Sequence, residues 1–159
     1  MNLIFTDKES NTTLKKIERL EKTIGLSFPT EYKQHLLLHN GGICSHSCFD
    51  FEESGVKTSS SLDCFFSISN DEDYSLKENF ITYKEEEKRM PTHILPIACD
   101  EGGNLICISC GTSDYGYIYF WNHEDEVDYS ISDDTDYSNL YFIAKNLHDF
   151  FDGLYEYND

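Results

Sequence analysis

The fold turns on residues 94–121, ILPIACDEGGNLICISCGTSDYGYIYFW, which read as three strands joined by two tight turns. Ile94 to Cys99 begins a strand that Pro96 interrupts, because proline has no N–H to give to a ladder. Asp100-Glu101-Gly102-Gly103-Asn104 is a turn, its glycines reaching backbone conformations that side chains forbid. Leu105-Ile106-Cys107-Ile108 follows as an apolar strand, and Gly111 to Gly116 turns again. Tyr117 to Trp121 is a third strand of aromatic and β-branched residues. Connections this short join antiparallel neighbours, since a parallel crossover needs about a dozen residues or more.

Outward from this centre the period changes. Leu14, Ile17, Leu20 and Ile24 recur at helical spacing, with Asn11, Thr12 or Thr13 as the N-cap and Gly25 as the stop. Pro29 opens a second helix through Tyr32, Leu36 and Leu37 to a stop at Asn40-Gly41-Gly42, and Leu26 and Phe28 pack on the pair. Ile43 to Ser61 is rich in serine and weakly periodic, so it reads as loop with at most a short strand. Cys64 to Ile68 reads as a strand, and most of Asp71 to Arg89 as a helix ending before Pro91. Leu140, Ile143, Ala144, Leu147, Phe150, Phe151 and Leu154 mark one broad stripe, read as a single closing helix. The expected architecture is α+β: one domain over residues 1–159, with a largely antiparallel sheet packed by an N-terminal helix pair and a C-terminal helix.

The chain has 159 residues, 30 Asp+Glu and 12 Lys+Arg, a formal charge of −18. Its 39 % hydrophobic content is enough for a core and too high for an acidic disordered tail. No apolar run reaches the roughly 20 residues of a membrane span, and the N-terminus lacks the basic and apolar regions of a secretory signal. A cytoplasmic protein is the expectation. Nucleic acid and anionic membrane are excluded as partners, because both bind through Lys and Arg. A basic partner is favoured. The charge is also uneven. Residues 90–159 hold 14 acidic residues and a single Lys or Arg, Lys145. Glu124, Asp125, Glu126, Asp128, Asp133, Asp134 and Asp136 form the densest group. Ordinary solubilising surfaces mix both signs, so an unmixed acidic stretch reads as a docking surface rather than a solvated loop. It lacks the D-x-[DN]-x-[DN]-G spacing of a calcium loop.

Other constellations carry less. Six cysteines in a chain without a secretory signal are expected to be free thiols. Cys107 and Cys110 form a CxxC pair in a strand, where they point to opposite faces. His35, His39, Cys44, His46 and Cys48 offer enough soft ligands for tetrahedral zinc, but their spacing matches no common finger. The plainer reading is two partly exposed histidines followed by a serine-rich loop. There is no P-loop, no GxGxxG and no nucleophile elbow. Neither a catalytic residue, a resident metal nor a cofactor is expected. Trp121 reads as core, with a binding role left to whichever of Tyr117, Tyr119 and Trp121 alternate outward.

Four blocks together resemble the SUKH superfamily of Smi/Knr-type cell-wall regulators and bacterial immunity proteins. They are Ile17 to Leu37 with Asn40-Gly41-Gly42, then Leu95 to Asp100 with Gly102-Gly103-Asn104, then Gly116 to Glu124, and last Ile143-Ala144 with Leu147, Phe150 and Leu154. The family usually has Leu before the proline where this chain has Phe28, and Ile43 to Ser61 and Asp125 to Asn139 match no family pattern. The resemblance implies an α+β fold and an immunity role, the binding of a toxin domain, often a nuclease, with no catalytic residue to carry over. A non-catalytic scaffold or regulatory module is the alternative. Nuclease clefts are basic, so the acidic group would meet Lys and Arg of the toxin, with Tyr115, Tyr129 and Tyr137 as aromatic anchors.

Overall fold

A computed structural model describes residues 2–71 and 73–157. In chain order the elements are β1 (Phe5–Thr6), α1 (Leu14–Ile24), α2 (Thr30–Leu38), β2 (Ile43–Cys44), β3 (Cys48–Glu53) and β4 (Val56–Phe65). Next comes α3 (Leu76–Phe80), which runs directly into a π-helical segment, Ile81–Glu86. Then follow β5 (Ile94–Asp100), β6 (Leu105–Ser109), β7 (Ile118–Trp121), β8 (Leu140–Ala144) and α4 (Leu147–Asp152). Strands β3 to β8 form one six-stranded antiparallel meander in sequence order, and β1 pairs with β2 apart from it. The fold is α+β, as expected.

The quoted stretch supplies the sheet's centre. Every residue of β6 and β7 is buried, so both faces of these strands are covered. Ile106 lies opposite Phe120 and Ile108 opposite Ile118, placing these four on one face. The β3–β4 hairpin and α4 close over that face. Phe51 stacks on Phe120 at 4.2 Å between ring centroids, and Phe49 lies 5.7 Å from Phe150. The opposite face carries Tyr119 and Trp121 and receives the π-helical segment, where Tyr83 meets Trp121 edge-on at 5.4 Å. Each large side chain buried this way contributes about 1.5–3 kcal/mol. Pro96 sits inside a central strand, opposite Cys107 of β6 and next to a bulge at Ile97 where the ladder shifts register before Ala98.

The helix pair forms as its spacing predicts. Thr13 caps α1 by accepting the Lys16 amide, Gly25 ends it in the left-handed region, and Ile17 and Leu20 are buried. The Asp71–Arg89 segment is helical only from Leu76 to Glu86, and its second half is wound as a π-helix. Lys84 is buried there, its ammonium donating to the carbonyls of Pro91 and Ile94, and burial pushes its pKa down to about 7.

Two readings are corrected. Residues 43–61 are not loop but β2, β3 and the first half of β4. Phe49 and Phe51 are buried while Asp50 and Glu52 face solvent, and Ser54-Gly55 closes the hairpin with φ of 54° and 82°. The serines of β4 are strand residues because β3 pairs with them from Cys48–Ser61 to Glu53–Val56. The closing helix is the second correction. Leu140 to Ala144 is strand β8, and only Leu147 to Asp152 is helical. Without β8, one edge of β7 would leave a row of unpaired backbone groups. Asn146 adopts an extended conformation and accepts the Asp149 amide, so the helix starts there and not before.

Candidate functional site

The acidic group lies in the long connection between β7 and β8, and the site is built by what fastens that connection down. Asp100, itself buried, accepts from the amides of Gly102 and Asn104 at 2.9 and 2.8 Å, from the Asn104 side chain at 2.9 Å and from the Ser60 hydroxyl at 2.7 Å. This locks the turn whose glycines were evident in the sequence. The carbonyl oxygen of the Asn104 side chain in turn accepts the His123 amide at 3.1 Å, fixing the first residues after β7. Asn122 donates its side-chain amide to Glu53 at 2.9 Å, and its backbone amide to the carbonyl of Asn139 at 3.1 Å, closing the base of the connection.

Tyrosines tie the rest to the body. The Tyr129 hydroxyl donates to the Asp136 carbonyl at 2.5 Å and meets Asn139 at 3.1 Å, while its amide reaches the Lys88 carbonyl at 3.0 Å. Tyr137 donates to Asp114 at 2.8 Å. Asp114 is buried and also accepts from Ser109 at 2.5 Å and Tyr119 at 2.7 Å. Burial pushes the Asp114 pKa up, but these three hydroxyls outweigh it and hold the carboxyl below its ordinary value. Tyr141 of β8 donates to Asp125 at 2.5 Å, and that bond pushes the phenol up to about 12. Asp134 reaches across to residue 92, accepting the Thr92 amide at 3.0 Å and its hydroxyl at 2.5 Å.

Of the remaining carboxylates, Glu124, Glu126, Asp128 and Asp133 are exposed and Asp136 is half-buried. Asp128, Asp133 and Asp136 each accept the amide and hydroxyl of the residue two positions on, Ser130, Thr135 and Ser138. These bonds, the hydroxyl first, hold all three below the ordinary aspartate pKa, so they stay charged. Glu124 and Glu126 are exposed, and Glu126 lies 3.9 Å from Arg89, the nearest basic group. Among the described residues Arg89 is the one guanidinium beside the patch, and it is anchored to the body. Its guanidinium lies over the Trp121 ring at 4.7 Å and donates to the His123 carbonyl at 3.1 Å.

The structure therefore brings Glu124, Asp125, Glu126, Asp128, Tyr129, Asp133, Asp134, Asp136 and Tyr137 onto one connection, with two kinds of duty. Glu124, Glu126, Asp128 and Asp133 face solvent, whereas Asp125 and Asp134 hold the body and the Tyr129 and Tyr137 hydroxyls are engaged internally. Tyr115 is placed apart, in the turn before β7, with its hydroxyl on the Ser27 carbonyl at 3.0 Å and about half its surface exposed. Ile131 was missed by sequence reasoning. It is 87 % exposed, in the middle of the acidic connection, and a lone isoleucine carries no periodic signal. Phe142 was hidden by the helical reading of its strand. It is half exposed beside Tyr117 at 5.5 Å. Tyr119 and Trp121 are buried, leaving Tyr117 as the outward-leaning aromatic near β7.

Among the described residues His35, His39, Cys44, His46 and Cys48 do not form a set with ligand atoms in reach of one ion. His35 and His39 lie on and just after α2 with ring centroids 5.5 Å apart, Cys44 is in β2 opposite Phe5, and Cys48 opens β3 opposite Ser61. Cys107 is enclosed within β6 and Cys110 lies past its end, so the CxxC pair is divided between strand and turn. No helix among the described residues is long and apolar enough to cross a membrane.

Comparison with known proteins gives the family. The chain is 32 % identical over 130 residues to the SPbeta prophage-derived uncharacterized protein YokK of Bacillus subtilis (strain 168), a match covering 72 % of this chain and 64 % of that protein. The chain thus spans less than two thirds of that relative's length. Residues 11–153, from the cap of α1 to the end of α4, match the family described as SMI1 / KNR4 family (SUKH-1). With helix pair, glycine turn, aromatic strand and closing helix all inside that span, the chain belongs to the SMI1/KNR4 (SUKH-1) family.

Proposed function

We propose that this protein is an immunity protein, binding a basic toxin domain stoichiometrically and neutralising it, with a nuclease as the fitting toxin class. The observation that carries this reading is the connection from Asn122 to Asn139: seven carboxylates, no Lys or Arg, and a backbone fastened at both ends and along its length. Fastening matters because a preorganised surface loses little entropy on binding. Carboxylates held ionised and turned outward complement a phosphate-binding cleft and accelerate encounter with it. Ile131 supplies an apolar contact within the charged surface, the composition expected of an anchor inside a polar rim. The family and the prophage origin of the relative support the same reading.

The test is co-expression of the protein with basic nuclease toxins from competing bacteria, followed by capture of the complex. Rescue of growth and a one-to-one complex that weakens as salt rises are expected. Reversal of the outward carboxylates (Glu124, Glu126, Asp128 and Asp133, each to Lys) is expected to abolish rescue while the circular dichroism spectrum is unchanged. Full rescue by that folded variant would show that the toxin is held elsewhere.

A further inference from the structure

Away from the acidic connection, the structure gathers three groups that the sequence keeps far apart. Cys64 of β4 and Cys99 of β5 are directly opposite each other, with sulfurs 3.6 Å apart. Between Leu62, opposite Asp100, and Cys64, opposite Cys99, β4 has one residue more than its partner. That inserted residue is Asp63. In a regular strand Asp63 and Cys64 would point to opposite faces. The bulge re-aims one of them, and an Asp63 carboxylate oxygen lies 3.9 Å from the Cys99 sulfur. All three ligand atoms lie within 4.8 Å of one another.

From this geometry we propose that Asp63, Cys64 and Cys99 form a binding site for a thiophilic divalent cation, zinc above all. Two thiolates on a tetrahedral zinc, with Zn–S near 2.3 Å, sit about 3.8 Å apart, and a thiolate and a carboxylate about 3.5 Å apart. The observed separations of 3.6 and 3.9 Å need only small side-chain rotations to meet those values. Three protein ligands leave a fourth position for water, as in sites that are not purely structural. Access and charge agree. Asp63 is exposed and both cysteines are half-buried. Cys64 lines a cavity of about 200 Å³ whose wall includes Asp7, Glu9, Asp63 and Tyr74 but neither Lys nor Arg. Hard cations such as calcium do not fit a donor set dominated by sulfur.

The experiment uses the reduced, metal-free full chain titrated with zinc and read by native mass spectrometry. Cobalt(II) serves as a second probe through thiolate-to-metal charge-transfer absorption. One equivalent of zinc per chain and a cobalt–thiolate band are expected. Cys64→Ser and Cys99→Ser are each expected to lose both signals, and Asp63→Asn to weaken uptake by about tenfold or more. His39→Gln and His46→Gln are expected to keep both signals, which separates this site from the histidine-rich segment. Melting curves of the metal-free variants show that they are folded. Absence of zinc uptake by the reduced wild type overturns the proposal, as does equal uptake by the folded Cys64→Ser or Cys99→Ser variant. A wild type that takes up no zinc and instead loses two thiols to a Cys64–Cys99 disulfide also overturns it, and makes the pair a redox element.

Discussion

His35 lies on α2 with its ring among those of Phe5, Phe65 and Phe151, at 5.1, 5.8 and 4.9 Å between centroids. Its Nε2 is buried without a hydrogen-bond partner. Burial, reinforced by neighbouring His39, pushes its pKa down to about 3. The unfolded chain takes a proton on this residue near pH 6.5 and the folded chain does not, so stability falls as pH drops below that value. The cost is about 2 kcal/mol between pH 7 and pH 5. His35→Phe keeps a ring in the cluster and removes both the orphaned nitrogen and the titration. Urea unfolding at the two pH values is expected to show the wild type losing that stability and the variant keeping most of it. An equal loss in both proteins would assign the acid sensitivity to other groups.

At the scale of elements, two glycines measure what holds the hairpins. Gly42, between α2 and β2, has φ of 105°, and a Cβ there would meet the backbone oxygen of Thr6 at 2.5 Å. Gly55, at the β3–β4 turn, has φ of 82° and open space around it. Gly55→Ala is expected to cost about 1 kcal/mol, the backbone term alone. Gly42→Ala is expected to cost at least about 2 kcal/mol, because the pairing of β1 with β2 must also give way. Thermal melts of both variants compare the two costs directly, and a Gly42→Ala variant no worse than Gly55→Ala would mean that β1 yields freely. The period of the apolar residues misled here for a definite reason. Leu140, Ala144 and Leu147 satisfy a helical stripe and also a strand followed by a helix, and pairing with β7 decides between them. The β3–β4 hairpin was read as loop: the alternation of Phe49 and Phe51 with Asp50 and Glu52 is short, and the surrounding serines, which become strand only by pairing, masked it.

Across the whole molecule, a charge of −18 acts on folding and on binding with opposite dependence on salt. Self-repulsion among carboxylates destabilises the compact state and is screened by salt. Attraction to a basic partner is screened equally. Raising sodium chloride from low to molar concentration is therefore expected to raise the melting temperature of the isolated protein and to slow its association with a basic toxin. Differential scanning fluorimetry and stopped-flow mixing measure the two effects on one sample. A melting temperature that falls with salt would show that favourable ion pairs outweigh the repulsion. Among the described residues few such pairs are present to do so. Lys33 with Glu21 at 3.5 Å is partly buried, and Lys57 with Asp50 at 3.4 Å is exposed.

The sequence by itself determined the sheet's centre, the helix pair and the concentration of charge after Met90, because these rest on local signals. Tight turns need glycine, helical faces recur at 3.6 residues, and charge is a property of composition. Family membership was legible for the same reason, in the order of four local blocks. Only the tertiary structure decided which face each group serves. It made β8 a strand by giving it a partner, and it separated the outward carboxylates from Asp125 and Asp134, which hold the connection to the body. It also set Cys64, Cys99 and Asp63 together across a bulge. Each of these depends on residues distant in sequence meeting in space, and no window along the chain contains both partners.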